Sequence, residues 1–415
     1  MSQTLSQWSS AGGGVRHSSL ICSPISITLS IFTLFFIASL FILDIIYLGP
    51  SLAALEASFL PSFIRPSIVP LECNLFNGSW VFDKSYPLYT ECPFIEQGFQ
   101  CPNNGRQNLT YRNWRWQPFD CNIPRFDAMS MLMRLRDQRV AFVGDSMGRT
   151  QWESLVCLLM NGVHDKWSVK EIHGKNITKT TPHLAVLFPG FNVTIEYYRS
   201  RWLVHIGQPP KHAPKRVKAT LKLDTLESAS SQWQTANVLV FNSGHWWTAA
   251  KTYRFGRYFQ VGSSLRLGMD MESAYRTAVA TWADWVKQYI DTNKTHVFFR
   301  NYEPHSWGHL NDWEEPKKHK TECPIQTAPI FNESHIRLSS QAQVLEQLWG
   351  SLQVKATLLD ITRLSAYRRD AHIFNFSTFR AMDCSHWCLP GVPDTWNELL
   401  YTLLLRDMQH ASHSW

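Results

Sequence analysis

After Arg139 the chain alternates short apolar runs with longer segments in which apolar residues recur every three or four positions. The short runs have the length and the β-branched and aromatic content of buried strands, and they cover residues 140–144, 191–199, 236–244, 296–301 and 355–362. Helical spacing follows Ser146 and covers residues 271–290 and 336–349. Buried strands that alternate with helices predict an α/β fold, with a mostly parallel sheet covered by helices on both faces.

Polar residues stand at the carboxyl ends of three of these predicted strands, namely Ser146, Asn242 and Arg300. In open sheets of this kind, ligands bind at the edge where the parallel strands end. We therefore expect the chemistry of the protein to lie at that edge, close to these three side chains.

The N-terminal part follows a different pattern. Residues 25–43 form an apolar run that continues beyond Asp44 to residue 48, which is long enough to span a bilayer. Arg16 precedes the run, so the positive-inside rule favours a cytosolic N-terminus. A cleaved signal peptide is the alternative, but its apolar core is usually shorter and no small-residue cleavage site stands out. The predicted order is a cytosolic tail, a transmembrane signal anchor, a stem and a lumenal catalytic domain, over residues 1–24, 25–48, 49–72 and 73–415.

The cysteine pattern indicates an oxidising compartment. Of the nine cysteines, eight follow the predicted anchor, and an even number predicts four disulfides. A zinc site is disfavoured because the chain has no Cys-x-x-Cys pair. The segment from Cys73 to Cys121 is rich in cysteine, proline and aromatic residues and shows little helical or strand periodicity, so we predict a disulfide-tied cap.

Seven Asn-x-Ser/Thr sequons also favour a glycoprotein of the secretory pathway, although chance accounts for some of them. They lie at Asn77, Asn108, Asn176, Asn192, Asn293, Asn332 and Asn375.

The net charge of +7 is concentrated in part in two basic stretches, residues 209–218 and 317–320. Each is predicted as a solvated loop. Contact with an acidic polymer or a phosphate is the sharper alternative, which charge alone does not establish. No nucleic-acid partner is expected.

Candidate chemistry lies in two short segments far apart in the chain. One carries Ser146 at the predicted strand-to-helix turn, and the other carries Asp383 and His386. A serine, a carboxylate and an imidazole are the set that nucleophilic acyl transfer needs. Because Asp383 and His386 are three residues apart, one turn can present both side chains, and the flanking Cys384 and Cys388 would pin that loop to the rest of the fold.

Further residues are candidates for supporting roles. The Ser146 backbone amide and the Asn242 side chain are candidate oxyanion donors, and a simple turn role for Asn242 is the alternative. Arg149, one helical turn after the serine, would steer or hold charge, or else form a surface salt bridge. The loop after Asn242 offers possible substrate-binding side chains, with core packing as the alternative for its tryptophans: His245, Trp246 and Trp247.

Three other patterns compete with this triad. Asp370 and His372 form a second Asp-x-His pair, which we interpret as a support or substrate-facing pair. His305 and His309 have the spacing of metal ligands on a helix, but no third ligand is evident, so no metal site is predicted. The Gly-x-Ser-x-Gly around Ser146 matches the nucleophile elbow of α/β-hydrolases, although those enzymes usually carry the acid and the histidine on separate loops.

Two long motifs, "VGDSMGRTQWESLVCLL" and "MDCSHWCLPGVPDTWNELL", resemble those of the plant trichome-birefringence-like family, also called plant-cell-wall esterase-like. The segments "FNSGHWW" and "LLDITRLSAYRRDAH" resemble its internal segments, and the likeness runs from Cys73 to about Tyr401. The resemblance implies a fold similar to GDSL or SGNH esterases, with Ser146, Asp383 and His386 as the triad. It also implies four disulfides, Cys73–Cys121, Cys92–Cys157, Cys101–Cys388 and Cys323–Cys384.

Studied members of that family are Golgi type II membrane proteins that O-acetylate cell-wall polysaccharides. The resemblance therefore implies a Golgi enzyme, held in the membrane through residues 25–48, that moves an acetyl group by way of an acetyl-serine to a wall polysaccharide. Acetyl-CoA is the expected donor, and no bound cofactor is expected. An esterase that uses the same triad and a non-catalytic wall-polymer binding protein are the alternatives. "GRT" after the serine and the stretch after Arg300 depart from the family pattern and leave the acceptor polymer undefined.

Overall fold

The computed structural model describes residues 72–301, 326–331, 338–373, 383 and 385–412, all within the unit Pro66–Trp415. The strands are β1 (Gly78–Phe82), β2 (Trp114–Pro118), β3 (Arg139–Gly144), β4 (Lys170–Glu171), β5 (His183–Phe188), β6 (Val193–Arg199), β7 (Val204–Gly207), β8 (Ala219–Leu226), β9 (Val238–Asn242), β10 (Arg257–Val261), β11 (Ser264–Arg266), β12 (His296–Arg300) and β13 (Thr357–Leu359). The helices are α1 (Ala128–Arg134), α2 (Ser146–Leu159), α3 (Ser230–Trp233), α4 (Met271–Tyr289), α5 (Ser340–Leu348), α6 (Thr362–Ala366) and α7 (Val392–Ser412).

The central sheet has seven strands in the order β13-β12-β9-β3-β6-β5-β4. The first five strands pair in parallel, and β5 and β4 add an antiparallel edge. All five apolar runs singled out in the sequence form strands of this sheet, and the three predicted helices are α2, α4 and α5. The predicted α/β fold with a mostly parallel sheet is confirmed.

The two faces of the sheet are buried against different helices, as the alternation of side chains along a strand requires. Val140 and Phe142 pack with α2 and α7 in one core, whereas Ala141 and Val143 pack with α4 in the other. Helices therefore cover both faces, which explains why the strands read as continuous apolar runs.

Several elements were not predicted. A second sheet has the order β11-β10-β8-β7, and the long helix α7 follows the His386 loop. The segment from Cys73 to Cys121 is not free of strands, because β1 pairs with β2 and brings Trp80 opposite Trp116. Those strands are five residues long, and their alternation places Trp80 and Phe82 on one face, opposite Trp116 and Trp114. This short alternating signal was present in the sequence.

The described cysteines form three disulfides, Cys73–Cys121, Cys92–Cys157 and Cys101–Cys388. These are three of the pairings that the resemblance implies, and Cys323–Cys384 lies outside the described residues. The sequon asparagines at 77, 108, 176, 192 and 293 are all exposed, and those at 332 and 375 are not among the described residues.

The predicted membrane span, residues 25–48, likewise lies outside the described residues. Within the part of the chain that the structure describes, no helix combines the length and apolar character needed to cross a bilayer.

Candidate active site

The candidate nucleophile stands where β3 meets α2. Ser146 is the first residue of α2, and the Asp145 side chain caps the helix by accepting a hydrogen bond of 3.0 Å from the Met147 amide. Gly144 and Gly148 are required at this turn, because a Cβ at either position would collide with the side-chain oxygen of Asn242. This close approach accounts for the glycines on either side of the serine.

The three triad residues are brought together as predicted. His386 Nε2 lies 2.8 Å from Ser146 Oγ, and His386 Nδ1 lies 2.6 Å from Asp383 Oδ2. Asp383 Oδ1 also accepts the backbone amides of Ser385 and His386, each at 3.0 Å. These bonds close one turn, so a single loop fixes both the carboxylate and the imidazole that faces the serine.

Charge within the loop prepares the imidazole for proton uptake. Burial favours neutral imidazole, but the Asp383 charge and hydrogen bond outweigh it and raise the pKa of His386. Burial alone would raise the pKa of Asp383, yet the imidazole and the two amides hold it well below its usual range. Asp383 is therefore held ionised, which would allow it to stabilise an imidazolium if Ser146 gave its proton to His386.

The cysteine-rich segment from Cys73 to Cys121 packs against the His386 imidazole. The Phe99 ring stacks on His386 with 5.7 Å between ring centroids, and the Phe99 carbonyl accepts the Leu389 amide at 2.9 Å. The Cys101–Cys388 disulfide ties the same two stretches together. This confirms that Cys388 pins the loop. The contact of Phe99 with the histidine was not predicted, because no local signal joins residues so far apart in sequence.

The second Asp-x-His pair lies beneath this loop. His372 stacks on Trp387 with 3.8 Å between centroids, and its Nδ1 lies 3.1 Å from the His386 carbonyl oxygen. Asp370 is buried and pairs with Arg368 at 2.9 Å. The pair is thus a support for the catalytic loop, which agrees with one of the two roles predicted for it.

Arg149 is not a surface residue. Only 3% of its side chain is exposed, and it forms ion pairs with Glu153 and Glu96. Its guanidinium also lies 4.8 Å from the centroid of the Phe99 ring, on which His386 stacks. The alternative of a surface salt bridge is wrong, and the side chain instead joins α2 to the segment that supports the histidine.

Asn242 ends β9 and lies against the first turn of α2. Its side-chain amide donates a hydrogen bond of 2.7 Å to Asp145 Oδ1. Burial raises the pKa of Asp145, although the Arg300 charge and the Asn242 hydrogen bond act in the opposite direction. The primary amide of Asn242 carries a second hydrogen, so its predicted role as an oxyanion donor remains a prediction.

The three candidate residues in the loop after Asn242 lie in different environments. The His245 ring lies 5.7 Å from that of His386, between centroids, and so borders the triad. Trp246 is half-buried next to it. Trp247 is 1% exposed and packs on Phe259 and Tyr275, so its predicted substrate contact is wrong. A large apolar ring in a loop that crosses the second core is buried there by the hydrophobic effect.

The described residues contain no cluster of three or more metal-ligating side chains. His305 and His309 lie outside them, so the expectation that they hold no metal stays a prediction.

Comparison with known proteins agrees with this geometry. A family model described as "GDSL/SGNH-like Acyl-Esterase family found in Pmr5 and Cas1p" matches residues 123–403, and a "PMR5 N terminal Domain" matches residues 71–122. The chain belongs to this acyl-esterase family. Trichome birefringence-like protein 7 of Arabidopsis thaliana is 47% identical over 339 residues, covering 81% of this chain and 74% of that protein. Trichome birefringence-like proteins 6 and 9 are 41% and 40% identical, covering 80% and 81% of this chain and 71% and 84% of theirs.

The resemblance found in the sequence is thereby confirmed, and it also explains the layout of the site. The boundary between the two matched regions, at residues 122 and 123, separates the segment that supports His386 from the acyl-esterase region that holds the triad. Phe99 and Cys101 belong to the former, and Ser146 and His386 to the latter. The region matched by the N-terminal domain model therefore contributes contacts that hold the histidine of the candidate active site.

Proposed function

We propose that this protein is a polysaccharide O-acetyltransferase that passes an acetyl group through Ser146. The observation on which the proposal rests is the chain of hydrogen bonds from Asp383 through His386 to Ser146, with 2.6 Å and 2.8 Å between the bonded atoms. Membership of an acyl-esterase family supports acyl chemistry at this serine.

In the first half-reaction, Ser146 Oγ gives its proton to His386 Nε2 and attacks the acetyl carbonyl of the donor. With acetyl-CoA as donor, the carbon–sulfur bond breaks and the thiol leaves with the proton from His386. In the second half-reaction, a sugar hydroxyl gives its proton to His386 and attacks the acetyl-serine, and the proton then returns to Ser146. His386 therefore acts as base and acid in turn, as the Asp383 carboxylate permits.

Both tetrahedral intermediates carry a negative oxygen that needs hydrogen-bond donors. The Ser146 amide at the N-terminus of α2 and the second amide hydrogen of Asn242 are the proposed donors. His245, next to His386, and Trp246 are the proposed contacts for the acceptor.

The proposed acceptor is a plant cell-wall polysaccharide, and the proposed location is the Golgi membrane with the catalytic domain in the lumen. The three disulfides and the five exposed sequon asparagines support an oxidising, glycosylating compartment. The membrane anchor itself, over residues 25–48, rests on the sequence pattern alone.

An acetyl esterase is the second candidate, and the description of the family favours it. Transfer and hydrolysis differ only in whether a sugar hydroxyl or water reaches the acetyl-serine. The side chain of His386 is 18% exposed, so a nucleophile in solution has access to the base that must activate it.

The deciding experiment incubates the purified full-length protein with acetyl-CoA and a panel of wall oligosaccharides, and separately with acetylated oligosaccharides. Mass spectrometry of the sugars distinguishes the candidates, with a Ser146→Ala protein as control. We expect acetylated products from at least one acceptor. Release of acetate from acetylated sugars without any transfer would assign the protein as an esterase, and neither activity would overturn the proposal.

A further inference from the structure

Trp246 is surrounded by cations. The Arg201 guanidinium lies 4.7 Å and the Lys251 ammonium 4.9 Å from the centroid of its ring. Arg257 lies 5.5 Å from the centroid of Trp202, and the Trp202 indole donates a hydrogen bond of 3.2 Å to the Trp246 carbonyl. The two tryptophans thus hold three cationic side chains in one place, partly by cation–π attraction.

Arg201, Lys251 and Arg257 form no ion pair with an acidic side chain that the structure describes, and the same holds for the neighbouring Arg199. Some other half-buried or buried arginines of the fold do pair with carboxylates, as in Arg139–Glu196, Arg149–Glu153 and Arg368–Asp370.

The surroundings of Arg201 are unfavourable for its positive charge. Burial, together with the like charges of Arg199 and Arg257, lowers the pKa of Arg201. Glu227 acts on Arg201 through its charge but forms no ion pair with it, and burial raises the pKa of Glu227 to about 7. Holding like charges together in a half-buried position is unfavourable without an anion to share.

The cluster adjoins the catalytic centre. The Arg199–Gly144 register puts the end of β6 beside the end of β3, and the Ser200 amide donates a 2.7 Å hydrogen bond to the Gly144 carbonyl. The backbone of Arg201 therefore lies close to the turn that carries Ser146. On the other side, Trp246 directly follows His245, whose ring borders that of His386.

The basic stretch 209–218 adjoins this cluster on the side of Arg257. The Lys218 amide donates to the Gly256 carbonyl at 2.7 Å, next to Arg257. The Arg216 guanidinium lies 5.9 Å from the centroid of the Tyr258 ring. Lys211, Lys215, Arg216 and Lys218 are exposed, as predicted for a solvated loop. The stretch also extends the row of cations that starts beside the triad.

An aromatic side chain accompanies this row at the surface. Phe255 is 61% exposed, and the Arg257 guanidinium lies 5.0 Å from the centroid of its ring. An exposed ring beside a cation suits a sugar that carries an acidic group, since the ring packs on the sugar face while the cation meets the charge.

The geometry points to an acceptor subsite for an acidic polysaccharide, in which Arg201, Lys251 and Arg257 bind uronate carboxylates next to the triad. This inference rests on the proposed function, because it names the class of acceptor that the acetyl-serine would meet. A row of separate cations that leads away from Ser146 matches a polymer with one carboxylate per sugar. The compact phosphates of a nucleotide donor would occupy only one end of such a row.

The test is a binding measurement that needs no acetyl transfer. The full-length protein is titrated calorimetrically with an oligogalacturonate, with the same oligomer after complete methyl esterification, and with coenzyme A. We expect Arg201→Gln/Lys251→Gln to weaken binding of the acidic oligomer roughly tenfold, as loss of two partly exposed charge contacts predicts. Binding of the esterified oligomer should change less than twofold, and added salt should weaken only the acidic one.

Three controls keep the result interpretable. Lys166→Gln/Lys170→Gln removes the same charge at exposed positions on and next to the edge strand β4 and should leave all affinities unchanged. Arg201→Lys keeps the charge and should retain most of the wild-type affinity for the acidic oligomer. Melting temperatures verify that each variant folds.

Equal binding of the acidic oligomer by wild type and double variant would overturn the inference. A loss of coenzyme A affinity as large as that for the acidic oligomer would also overturn it, because the cations would then serve the donor. The outcome is separate from that of the proposed function. Charge-dependent binding without any acetyl transfer would support the subsite and refute the transferase. Equal transfer to the acidic oligomer by wild type and double variant would support the transferase and refute the subsite.

Discussion

The two faces of the central sheet are built from different materials. On the α4 side, tryptophan and phenylalanine rings pack edge to face, with 4.7 Å between the centroids of Trp282 and Phe299 and 5.6 Å between those of Trp282 and Phe241. On the α2 and α7 side, polar groups are buried among the apolar ones. Glu398 there accepts a hydrogen bond from Tyr86, and Asn397 donates one of 2.9 Å to Ser154.

The difference indicates that the two faces contribute differently to stability and to fixed geometry. Aromatic packing stabilises a face by the area it buries, whereas buried polar groups lose hydration and fix one geometry only if every partner is present. Ser146 stands at the start of α2, and the loop of His386 leads into α7, so the candidate triad lies on the polar face. The aromatic face should therefore determine stability, and the polar face should determine activity and pH response.

Removing the nucleophile should cause the largest effect. We expect Ser146→Ala to lower the rate of acyl transfer by about 10⁴-fold or more, because the variant lacks the hydroxyl that His386 Nε2 contacts. The melting temperature should stay within a degree or two of wild type, since the side chain is small and partly exposed. Near-normal turnover by a folded Ser146→Ala protein would place the chemistry elsewhere.

Trp282→Ala tests the aromatic face. The indole is fully buried, so its truncation leaves a cavity and should cost about 3–5 kcal/mol of the free energy of unfolding, measured by urea denaturation. The turnover number, assayed well below the melting temperature of the variant, should change little. A large loss of turnover in a protein that is still folded would show that the two faces are not separable. Trp282→Phe should recover most of the stability.

Glu398→Gln tests the polar face through pH. Burial, reinforced by the nearby Asp394 charge and opposed by the Tyr86 hydrogen bond, raises the pKa of Glu398 to about 7 from its ordinary 4.5. Between these values the folded protein keeps a proton that the unfolded chain has released, so the free energy of unfolding falls as pH rises. Removing the titration should make the variant more stable relative to wild type at pH 8 than at pH 4.5, by roughly 2–3 kcal/mol.

Urea denaturation of both proteins at the two pH values measures this change directly. Asp394, whose pKa burial also raises to about 7, is present in both proteins, so its contribution largely cancels in the comparison. A difference between variant and wild type that does not depend on pH would mean that Glu398 is ionised in the folded protein and the prediction is wrong.

The smallest expected effect concerns the support of His386. Phe99→Leu keeps an apolar side chain but removes the stacked ring, and we expect the turnover number to fall about three- to tenfold with little change in KM. Phe94→Leu is the matched control, because Phe94 is buried in the same segment. An equal loss in both variants would indicate general damage to that segment. A pH–rate profile separates the two cases, since the unsupported imidazole should titrate at a different pH.

The sequence predicted those parts of this architecture that depend on local pattern. The parallel strands were found because both of their faces are buried, which makes runs such as 140–144 continuously apolar. The triad was found because its acid and base share one turn. β8 was missed although its alternation left a signal, since Leu221 and Leu223 are buried while Asp224 is exposed.

Other features have no local signal. The stacking of Phe99 on His386 and the burial of Arg149 between two glutamates depend on segments that meet only after the chain has folded. The cations around Trp246 come from the turn between β6 and β7, from β10 and from the loop between β9 and β10, and they meet only in the folded protein. The basic stretch 209–218 was visible in the sequence, but the surface that it joins was not.

Detection of an acyl-enzyme on Ser146 tests the proposed chemistry most directly. Full-length protein is mixed with acetyl-CoA without acceptor, quenched within milliseconds, digested with trypsin and analysed by mass spectrometry. We expect one added acetyl group on the peptide that contains Ser146, present in wild type and absent in His386→Ala. An enzyme that acetylates its acceptor at normal rates but never shows this label under rapid quenching would contradict the proposed chemistry, because transfer would then pass directly from donor to acceptor.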